Sequence, residues 1–345
     1  MRGHPEPIHA LPYEEQLAHL ERVVVAALSR YELASASHAL LQYENNAVYR
    51  VRTAPGDELV LRVSTAAGRT LEEQRSEMDW LSALRRDTDL LVPEPIPSRD
   101  GAPVVTVARD DAPEPHACAL LRWVPGEPPD PGLDPAIMER VGAFTATLHQ
   151  HAARFVPRAG FTRPRWDWES LFGPSSVLGD EEAMSVLAPP QRAILVAAGA
   201  RVRQALSLPG KEALATGLVH ADLHRDNILI HEGGIGVIDF DDCGSGYFVF
   251  DLATVLDSIQ RRVAEGPAQY RALREALLRG YDSVRPLPRE LDEHLRLFRV
   301  LRDMVNFNFI LGSKNANVQS WGRPRLSSMV DQLQAYLDDS PSYWI

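Results

Sequence analysis

The sequence predicts a bilobal α+β protein, with an antiparallel sheet in its N-terminal lobe and a mainly helical C-terminal lobe. Strand-like apolar runs are concentrated before residue 125, and apolar residues at helical spacing dominate after residue 134. A segment rich in proline and glycine, residues 125–129, separates the two regions. Because strands and helices are segregated along the chain, an α+β fold is favoured over a repeating βαβ fold. We therefore expect an N-terminal lobe at residues 1–121, a connector at 122–129 and a C-terminal lobe at 130–345.

The N-terminal lobe should contain a sheet flanked by two helices. Alternating apolar residues predict the strands, and apolar positions near helical spacing predict the helices. The predicted elements are a helix at residues 13–29, strands at 39–43, 47–52 and 59–63, a helix at 70–86, a short hairpin turning at 99–101 toward 104–107, and a strand at 117–124.

The C-terminal lobe should be built from long amphipathic helices interrupted by two short strands. Asp134 followed by Pro135 is typical of a helix start, with aspartate as N-cap and proline in the first turn. Further helices are predicted at residues 190–206, 250–259, 269–281, 288–311 and 327–337, and the strands at 228–231 and 236–239.

Composition limits the partners and the compartment. The chain has 345 residues, a 45% hydrophobic content and a formal net charge of -11. An acidic surface argues against nucleic acid and anionic membranes as partners and weakly favours a cationic substrate. Two cysteines far apart, Cys118 and Cys243, do not form a disulfide framework. With no signal-peptide core at residues 1–11 and no run long enough to span a bilayer, we expect a cytoplasmic protein.

Residues 220–227 carry a dense set of polar side chains between two apolar runs. They read His-Ala-Asp-Leu-His-Arg-Asp-Asn, and Ile238-Asp239-Phe240 follows shortly after. Asp222 precedes Asn227 by the spacing of the catalytic aspartate and metal-binding asparagine in the motif H-R-D-L-x-x-x-N. Phosphoryl transfer needs a divalent cation to offset negative charge, and carboxylate and amide oxygens suit Mg²⁺. The pattern therefore predicts Asp222 as the proton acceptor, with Asn227 and Asp239 as Mg²⁺ ligands.

This segment resembles the Brenner motif of the aminoglycoside phosphotransferase family, small-molecule kinases that share the protein-kinase-like fold with choline kinases. The resemblance implies ATP or GTP as phosphate donor, Mg²⁺ as cofactor and a small hydroxylated acceptor. It also implies that His220 is a structural residue and that Asp251 braces the C-terminal lobe.

The N-terminal lobe fits the same resemblance. Side chains alternate between the faces of a strand, so Val60 and Arg62 lie on one face of the strand at 59–63. Arg62 stands where the family has lysine, and residues 43–47 lack the glycines of a G-x-G-x-x-G loop. The nucleotide-binding residues implied by the resemblance are Asn46, Val60, Arg62, Glu77, Leu121, Arg122 and Val124.

The acceptor contacts and two other functions are left open by the sequence. Candidate contacts are Asp241, His224, Trp166 and Arg302. One alternative is a metal-dependent hydrolase that uses His220, Asp222 and His224 as ligands. The other is a kinase-like binding module without activity, for which the replacement at position 62 is the only support. The acceptor, the choice of ATP or GTP, and the oligomeric state are not predicted.

Overall fold

A computed structural model describes residues 7–54, 56–65, 69–109, 115–129, 133–207, 214–261 and 266–340. The helices are α1 (Tyr13–Ser29), α2 (Leu71–Asp87), α3 (Pro135–Ala152), α4 (Trp168–Phe172), α5 (Glu181–Met184), α6 (Pro189–Leu206), α7 (Phe248–Gln260), α8 (Pro267–Asp282), α9 (Leu291–Gly312), α10 (Ala316–Gly322) and α11 (Leu326–Leu337). The strands are β1 (Ser37–Tyr43), β2 (Asn46–Arg52), β3 (Glu58–Ser64), β4 (Pro95–Ile96), β5 (Val105–Val107), β6 (His116–Arg122), β7 (Thr216–Val219), β8 (Ile228–His231), β9 (Gly234–Val237) and β10 (Gly244–Tyr247).

The N-terminal lobe is an antiparallel sheet in the order β1-β2-β3-β6-β4. Helix α1 packs on it through an apolar stripe that includes Leu20, Val23 and Val24, which are fully buried with β-strand residues in one core. In the register of β3 and β6, Val60 faces Leu121. The strand-rich lobe and the helical lobe confirm the predicted α+β class.

The predicted hairpin near residue 100 is wrong. Strands β4 and β5 do not pair with each other; both pair with β6, β4 through Leu120 and Leu121 and β5 through residues 116–118. The turn itself is present, since Gly101 donates to the carbonyl of Ser98 at 2.8 Å. The chain between the two strands therefore loops out, and the long strand β6 supplies the hydrogen bonds for both short ones.

Helix α2 positions its residues between the lobes. Thr70 and Glu73 form a capping box, in which Glu73 N–H donates to the Thr70 hydroxyl at 3.2 Å and the Thr70 N–H donates to Glu73 at 2.8 Å. After this first turn, α2 buries Met78 and Leu81 in the large hydrophobic core that it shares with the C-terminal lobe. This packing directs Glu77 toward the sheet.

The C-terminal lobe contains helices at very close spacing. Asp134 caps α3 by accepting from the N–H of Ile137 at 2.7 Å, as predicted. A Cβ placed at Gly142 of α3 would lie 2.0 Å from the carbonyl oxygen of Leu277 on α8. Glycine is therefore required where the two backbones meet. Among the described residues, no helix is long and apolar enough to cross a bilayer.

The connector is hydrogen-bonded to the two-stranded antiparallel sheet formed by β8 and β9. Ile230 donates its N–H to the carbonyl of Glu127 at 2.9 Å, beside Gly126 at a φ of 119°. Residues 130–132, where the predicted C-terminal lobe begins, lie outside the described residues. Strand β9 ends at Val237, two residues earlier than predicted, because Asp239 adopts a left-handed conformation with a φ of 64°. That turn places its carboxylate outside the strand.

Candidate active site

The loop after β7 is held by a buried carboxylate beneath it. Asp251 of α7 accepts from the N–H of His220 at 2.9 Å and from the N–H of Ala221 at 2.8 Å. His149 of α3 bonds the same carboxylate at 3.0 Å. Ala221 has a φ of 68°, which an L-residue adopts only when its surroundings impose it. The brace therefore fixes the backbone that presents Asp222.

Asp222 is engaged on both of its oxygens. Arg302 of α9 forms an ion pair with Oδ1 and donates to the carbonyl of Ala221 at 3.1 Å. Asn227 donates to Oδ2 at 3.3 Å, and His224 lies 3.4 Å from the same oxygen. Burial would raise the pKa of Asp222, but Arg302 and then His224 hold that pKa well below its ordinary value. The carboxylate is thus ionised at neutral pH.

The amide of Asn227 has a defined orientation. Its Nδ2 donates to the carbonyl of Asp222 at 3.0 Å as well as to the carboxylate, so Oδ1 points away from the loop. Among the described residues, none donates a hydrogen bond to that oxygen. Asn227 thus has an oxygen available for a ligand.

Asp239 is a carboxylate without a direct partner. No described residue forms a hydrogen bond or a close ion pair with it. Its side chain opens into the cleft but is surrounded by protein atoms, and this loss of solvation raises its pKa to about 7. Asp241 and Asp222 raise the pKa further through repulsion, while Arg62 opposes them. Such a group favours a proton or a cation.

Arg62 and Glu77 pair as the sequence predicts. Two parallel hydrogen bonds of 2.8 and 2.6 Å join the guanidinium on β3 to the carboxylate on α2. The Arg62 side chain is 6% exposed and also lies 3.5 Å from Asp241. Burial lowers the pKa of Arg62, but Glu77 and Asp241 together hold that pKa above its ordinary value. The cation is therefore permanently charged, and it is held between Glu77 and Asp241.

The first residue of β2 reaches across the cleft. Asn46 donates from Nδ2 to Asp241 Oδ2 at 3.0 Å, although the two residues are 195 positions apart. Asp241 carries a pKa below its ordinary value because Arg62, Arg69 and Arg163 outweigh its burial. Asn46 thus contacts the carboxylate segment, residues 239–242, from the other side of the cleft.

Two arginines at this segment were missed by sequence reasoning. Arg69 donates to the carbonyl of Asp241 at 3.1 Å and pairs with the Asp242 carboxylate. Arg163 donates to the carbonyls of Cys243 at 2.6 Å and Glu73 at 2.8 Å. The only local sign that Arg69 contacts this segment was its position directly before Thr70, the N-cap of α2. Both arginines hold the segment after Asp239 against the N-terminal lobe.

The proposed base pocket lies between β3 and the connector. Leu121 is buried, and Val60 beside it is half-buried. Arg122 points its side chain outward to Glu94, at 3.0 Å, so only its backbone faces the pocket. Val124 is buried against Gly236, and its N–H has no hydrogen-bond acceptor among the described residues. An apolar cleft beside an available backbone donor suits a planar heterocycle.

Two of the expected acceptor contacts have other partners here. Trp166 is 8% exposed and donates from its indole to the carbonyl of Asp242 at 2.8 Å. His224 accepts from the N–H of Asp226 at 3.1 Å, and its pKa is raised because the bond to Asp222 outweighs burial. Trp166 lies behind the carboxylate segment and His224 beside Asp222, and contact of either with an acceptor remains a prediction.

The cluster expected of a metal-dependent hydrolase is not formed. His220 is fully buried, its Nε2 faces the carbonyl of Ile238 at 3.0 Å, and its Nδ1 accepts from the N–H of Asp222. Both ring nitrogens therefore have backbone partners. Across the described ranges, no group of three or more His, Cys, Asp and Glu residues is arranged to hold a metal ion.

Comparison with known proteins places the chain in a family. The model of the phosphotransferase enzyme family matches residues 40–287. A homoserine kinase of Gluconacetobacter diazotrophicus is 29% identical over 297 residues, which cover 83% of each chain. The structure of a microcompartment-associated aminopropanol kinase superposes with a TM-score of 0.76 at 29% identity, covering 92% of this chain and 98% of that one.

A further solved structure has the same fold. An amicoumacin kinase in complex with AMP-PNP, Ca²⁺ and Ami superposes with a TM-score of 0.78 at 20% identity, covering 96% of this chain and 98% of that one. These matches confirm the resemblance read from the motifs around residues 220–240. The chain therefore belongs to the phosphotransferase enzyme family and is a small-molecule kinase.

Proposed function

We propose that this protein transfers the γ-phosphate of ATP or GTP to a hydroxyl group of a small molecule, with Mg²⁺ as the divalent cation. One observation carries the proposal. The Arg62–Glu77 pair of the N-terminal lobe and the carboxylates that follow β9 meet in one cleft, where Arg62 lies 3.5 Å from Asp241. A cation on this strand and carboxylates facing it are what nucleotide phosphates with a metal require.

Asp222 orients the acceptor in this proposal. Its depressed pKa keeps it ionised, so it accepts a hydrogen bond from the acceptor hydroxyl and aligns the oxygen with the γ-phosphorus. The oxygen forms a bond to phosphorus while the bond between that phosphorus and the β–γ bridging oxygen breaks. The hydroxyl proton passes to Asp222, and the nucleoside diphosphate leaves with the electron pair.

Asn227 and Asp239 would hold the divalent cation. Their availability supports this: Asn227 turns Oδ1 away from its own loop, and Asp239 has a raised pKa and no direct partner among the described residues. Both are hard oxygen donors of the kind that Mg²⁺ binds. A divalent cation bound there would offset the negative charge of the phosphates.

The donor site uses the N-terminal lobe and the connector. Arg62, oriented by Glu77, would contact the α- and β-phosphates, and Asn46 would close over them. Val60 and Leu121 would cover the base, and the backbone of Arg122 and Val124 would bond its edge. Arginine at position 62 keeps the charge that lysine supplies in the family, with a planar fork instead of a point charge.

The relatives support a small acceptor with a hydroxyl group. Their names specify homoserine, aminopropanol and amicoumacin as the molecules that those proteins phosphorylate. We therefore infer a small hydroxylated metabolite or antibiotic as the acceptor, and a cytoplasmic enzyme. Fold alone does not choose among such acceptors.

An assay of nucleotide consumption tests the proposal. Purified protein with ATP or GTP and Mg²⁺ is supplied with a panel of hydroxylated metabolites and antibiotics, and phosphorylated product is identified by mass spectrometry. Asp222→Asn should reduce turnover by roughly 100-fold or more, because proton acceptance contributes about that much. Its far-ultraviolet circular dichroism should stay unchanged. Full turnover by the folded variant would refute the role of Asp222.

A further inference from the structure

Arg302 has an unusual place next to Asp222. It extends from α9, its side chain is 11% exposed, and it contacts both the carboxylate and the carbonyl of the preceding residue, Ala221. A guanidinium carries more N–H donors than these two contacts use. Among the described residues, no other acceptor receives a hydrogen bond from Arg302. The cation therefore has donors left for a ligand in the cleft.

The neighbouring arginines differ from Arg302 in their partners. Arg299, one turn earlier on α9, lies 3.1 Å from Asp257, and Arg261 lies 2.9 Å from the same carboxylate and 3.0 Å from Asp303. Asp257 and Asp303 are both nearly fully buried. Each of these buried carboxylates is thus matched by an arginine, so neither Asp257 nor Asp303 is available to a cationic ligand.

The contact between Arg302 and Asp222 competes with the acceptor hydroxyl. Arg302 occupies Oδ1 of Asp222 while Asn227 and His224 lie at Oδ2, so a hydroxyl that bonds this carboxylate has to displace one of these contacts. An anionic group on the acceptor would resolve the competition, because it would satisfy the guanidinium while the hydroxyl approaches the carboxylate. A planar guanidinium fork matches a carboxylate through two parallel hydrogen bonds.

We infer that the acceptor carries a carboxylate close to its hydroxyl on a short carbon chain, and that Arg302 binds this carboxylate. The inference rests on the proposed transfer to a hydroxyl and names the class of acceptor as hydroxy acids, amino hydroxy acids included. Arg302 is a cation and favours an anionic group on the acceptor. The net charge of the chain, -11, had weakly favoured a cationic acceptor instead.

Matched acceptor pairs that differ by one carboxylate test the inference. Suitable pairs are homoserine with 3-amino-1-propanol, serine with 2-aminoethanol, and glycerate with ethylene glycol. For each compound, kcat and KM are measured with the wild-type protein, Arg302→Gln, Arg302→Lys and Arg299→Gln. Arg299 is the matched control because it lies on the same helix but pairs with Asp257 instead of the catalytic aspartate.

The wild-type protein should prefer the carboxylated member of at least one pair. Arg302→Gln should lower kcat/KM for that member by roughly 10- to 100-fold, mainly through KM, because one charge-assisted contact is lost. Any change in the basicity of Asp222 affects both members of a pair, so the ratio of the two kcat/KM values reports the carboxylate contact alone. Arg302→Lys should restore part of the ratio, and Arg299→Gln should leave it unchanged.

Two results would overturn the inference about the acceptor, and a third would overturn the proposed function as well. Turnover of only those compounds that lack a carboxylate would exclude the acceptor class, as would an Arg302→Gln variant that loses the same activity toward both members of a pair. If Arg302→Gln does not fold, the ratio of the two kcat/KM values is measured with Arg302→Lys, which keeps the positive charge. If the wild-type protein phosphorylates no hydroxylated compound at all, the proposed function itself fails.

Discussion

Arg62 and Glu77 are joined by two hydrogen bonds of 2.8 and 2.6 Å between β3 and α2, with side chains that are 6% and 1% exposed. The pair ties the sheet of the N-terminal lobe to the helix that packs on the C-terminal core. Arg163, from the C-terminal lobe, lies 3.9 Å from the same Glu77 carboxylate. The pair therefore serves both stability and the alignment of the cleft.

Removing the carboxylate of this pair should destabilise the protein strongly. In Glu77→Gln, Arg62 stays buried but loses its ion pair, keeping a neutral amide oxygen and the longer contact with Asp241, so we expect a loss of roughly 3 kcal/mol in the free energy of unfolding. Glu72, on the exposed side of the same helix, pairs with Arg75 at 3.3 Å. Glu72→Gln should cost less than about 1 kcal/mol. Urea denaturation of both variants measures the difference, and equal losses would contradict the interpretation.

Arg62→Lys tests what the guanidinium fork adds to nucleotide binding. Lysine keeps the charge but replaces two parallel bonds to Glu77 by a point contact, so phosphates are oriented less well. The KM for ATP or GTP should rise by roughly tenfold, the effect of one charge-assisted hydrogen bond, with a smaller change in kcat. Steady-state kinetics at saturating acceptor measure this. A KM equal to that of the wild-type protein would show that the fork is dispensable.

Local patterns were sufficient for the elements that carry the site. The alternation at residues 59–63 placed Val60 and Arg62 on one face, and β3 covers that run. The spacing of Asp222 and Asn227 placed both residues in one polar loop, where the Asn227 amide donates to Asp222, and their roles as proton acceptor and metal ligand stay predictions. Both signals lie within a few residues, where backbone geometry alone decides which side chains meet.

Contacts between distant segments could not be predicted in this way. Asn46 meets Asp241 across 195 residues, and Arg302 meets Asp222 across 80. No periodicity encodes such pairs, because the first depends on how the two lobes pack and the second on how the elements of the C-terminal lobe pack together. The left-handed turn at Asp239 was missed for a related reason: its neighbours impose the conformation, and the residue type does not reveal it.

Asp239 should make metal binding dependent on pH. With a pKa of about 7 in the absence of a cation, its carboxyl is protonated at lower pH and cannot bind metal. The affinity for Mg²⁺ together with ADP should therefore fall as the pH drops below about 7, approaching tenfold per pH unit. Isothermal titration calorimetry between pH 5.5 and 8 measures this.

The control for this prediction is Asp239→Asn, whose amide does not titrate. It should bind the metal–nucleotide pair weakly throughout, with only the shallow dependence that comes from ionisation of ADP itself. Asp242 also has a raised pKa but pairs with Arg69, so Asp242→Asn should keep a pH dependence, with its midpoint moved to lower pH because the Asp242 charge helps to raise the pKa of Asp239. An identical slope for wild type and Asp239→Asn would assign the effect to another group.

Gly126 should be essential to the connector for two separable reasons. Its φ of 119° is strained for any residue with a Cβ, and a Cβ there would lie 2.8 Å from the carbonyl oxygen of Ile230. Gly160 has a φ of 82° with no atom within 4 Å of such a Cβ, so Gly160→Ala shows the cost of strain alone, about 1 kcal/mol. Gly126→Ala should cost at least about 2 kcal/mol by urea denaturation, because the clash adds to the strain. If the connector presents the backbone of Val124 to the nucleotide base as proposed, Gly126→Ala should also raise the KM for the nucleotide, whereas Gly160→Ala should leave that KM unchanged. Equal costs for the two variants would mean that the connector yields easily and does not hold the pocket in place.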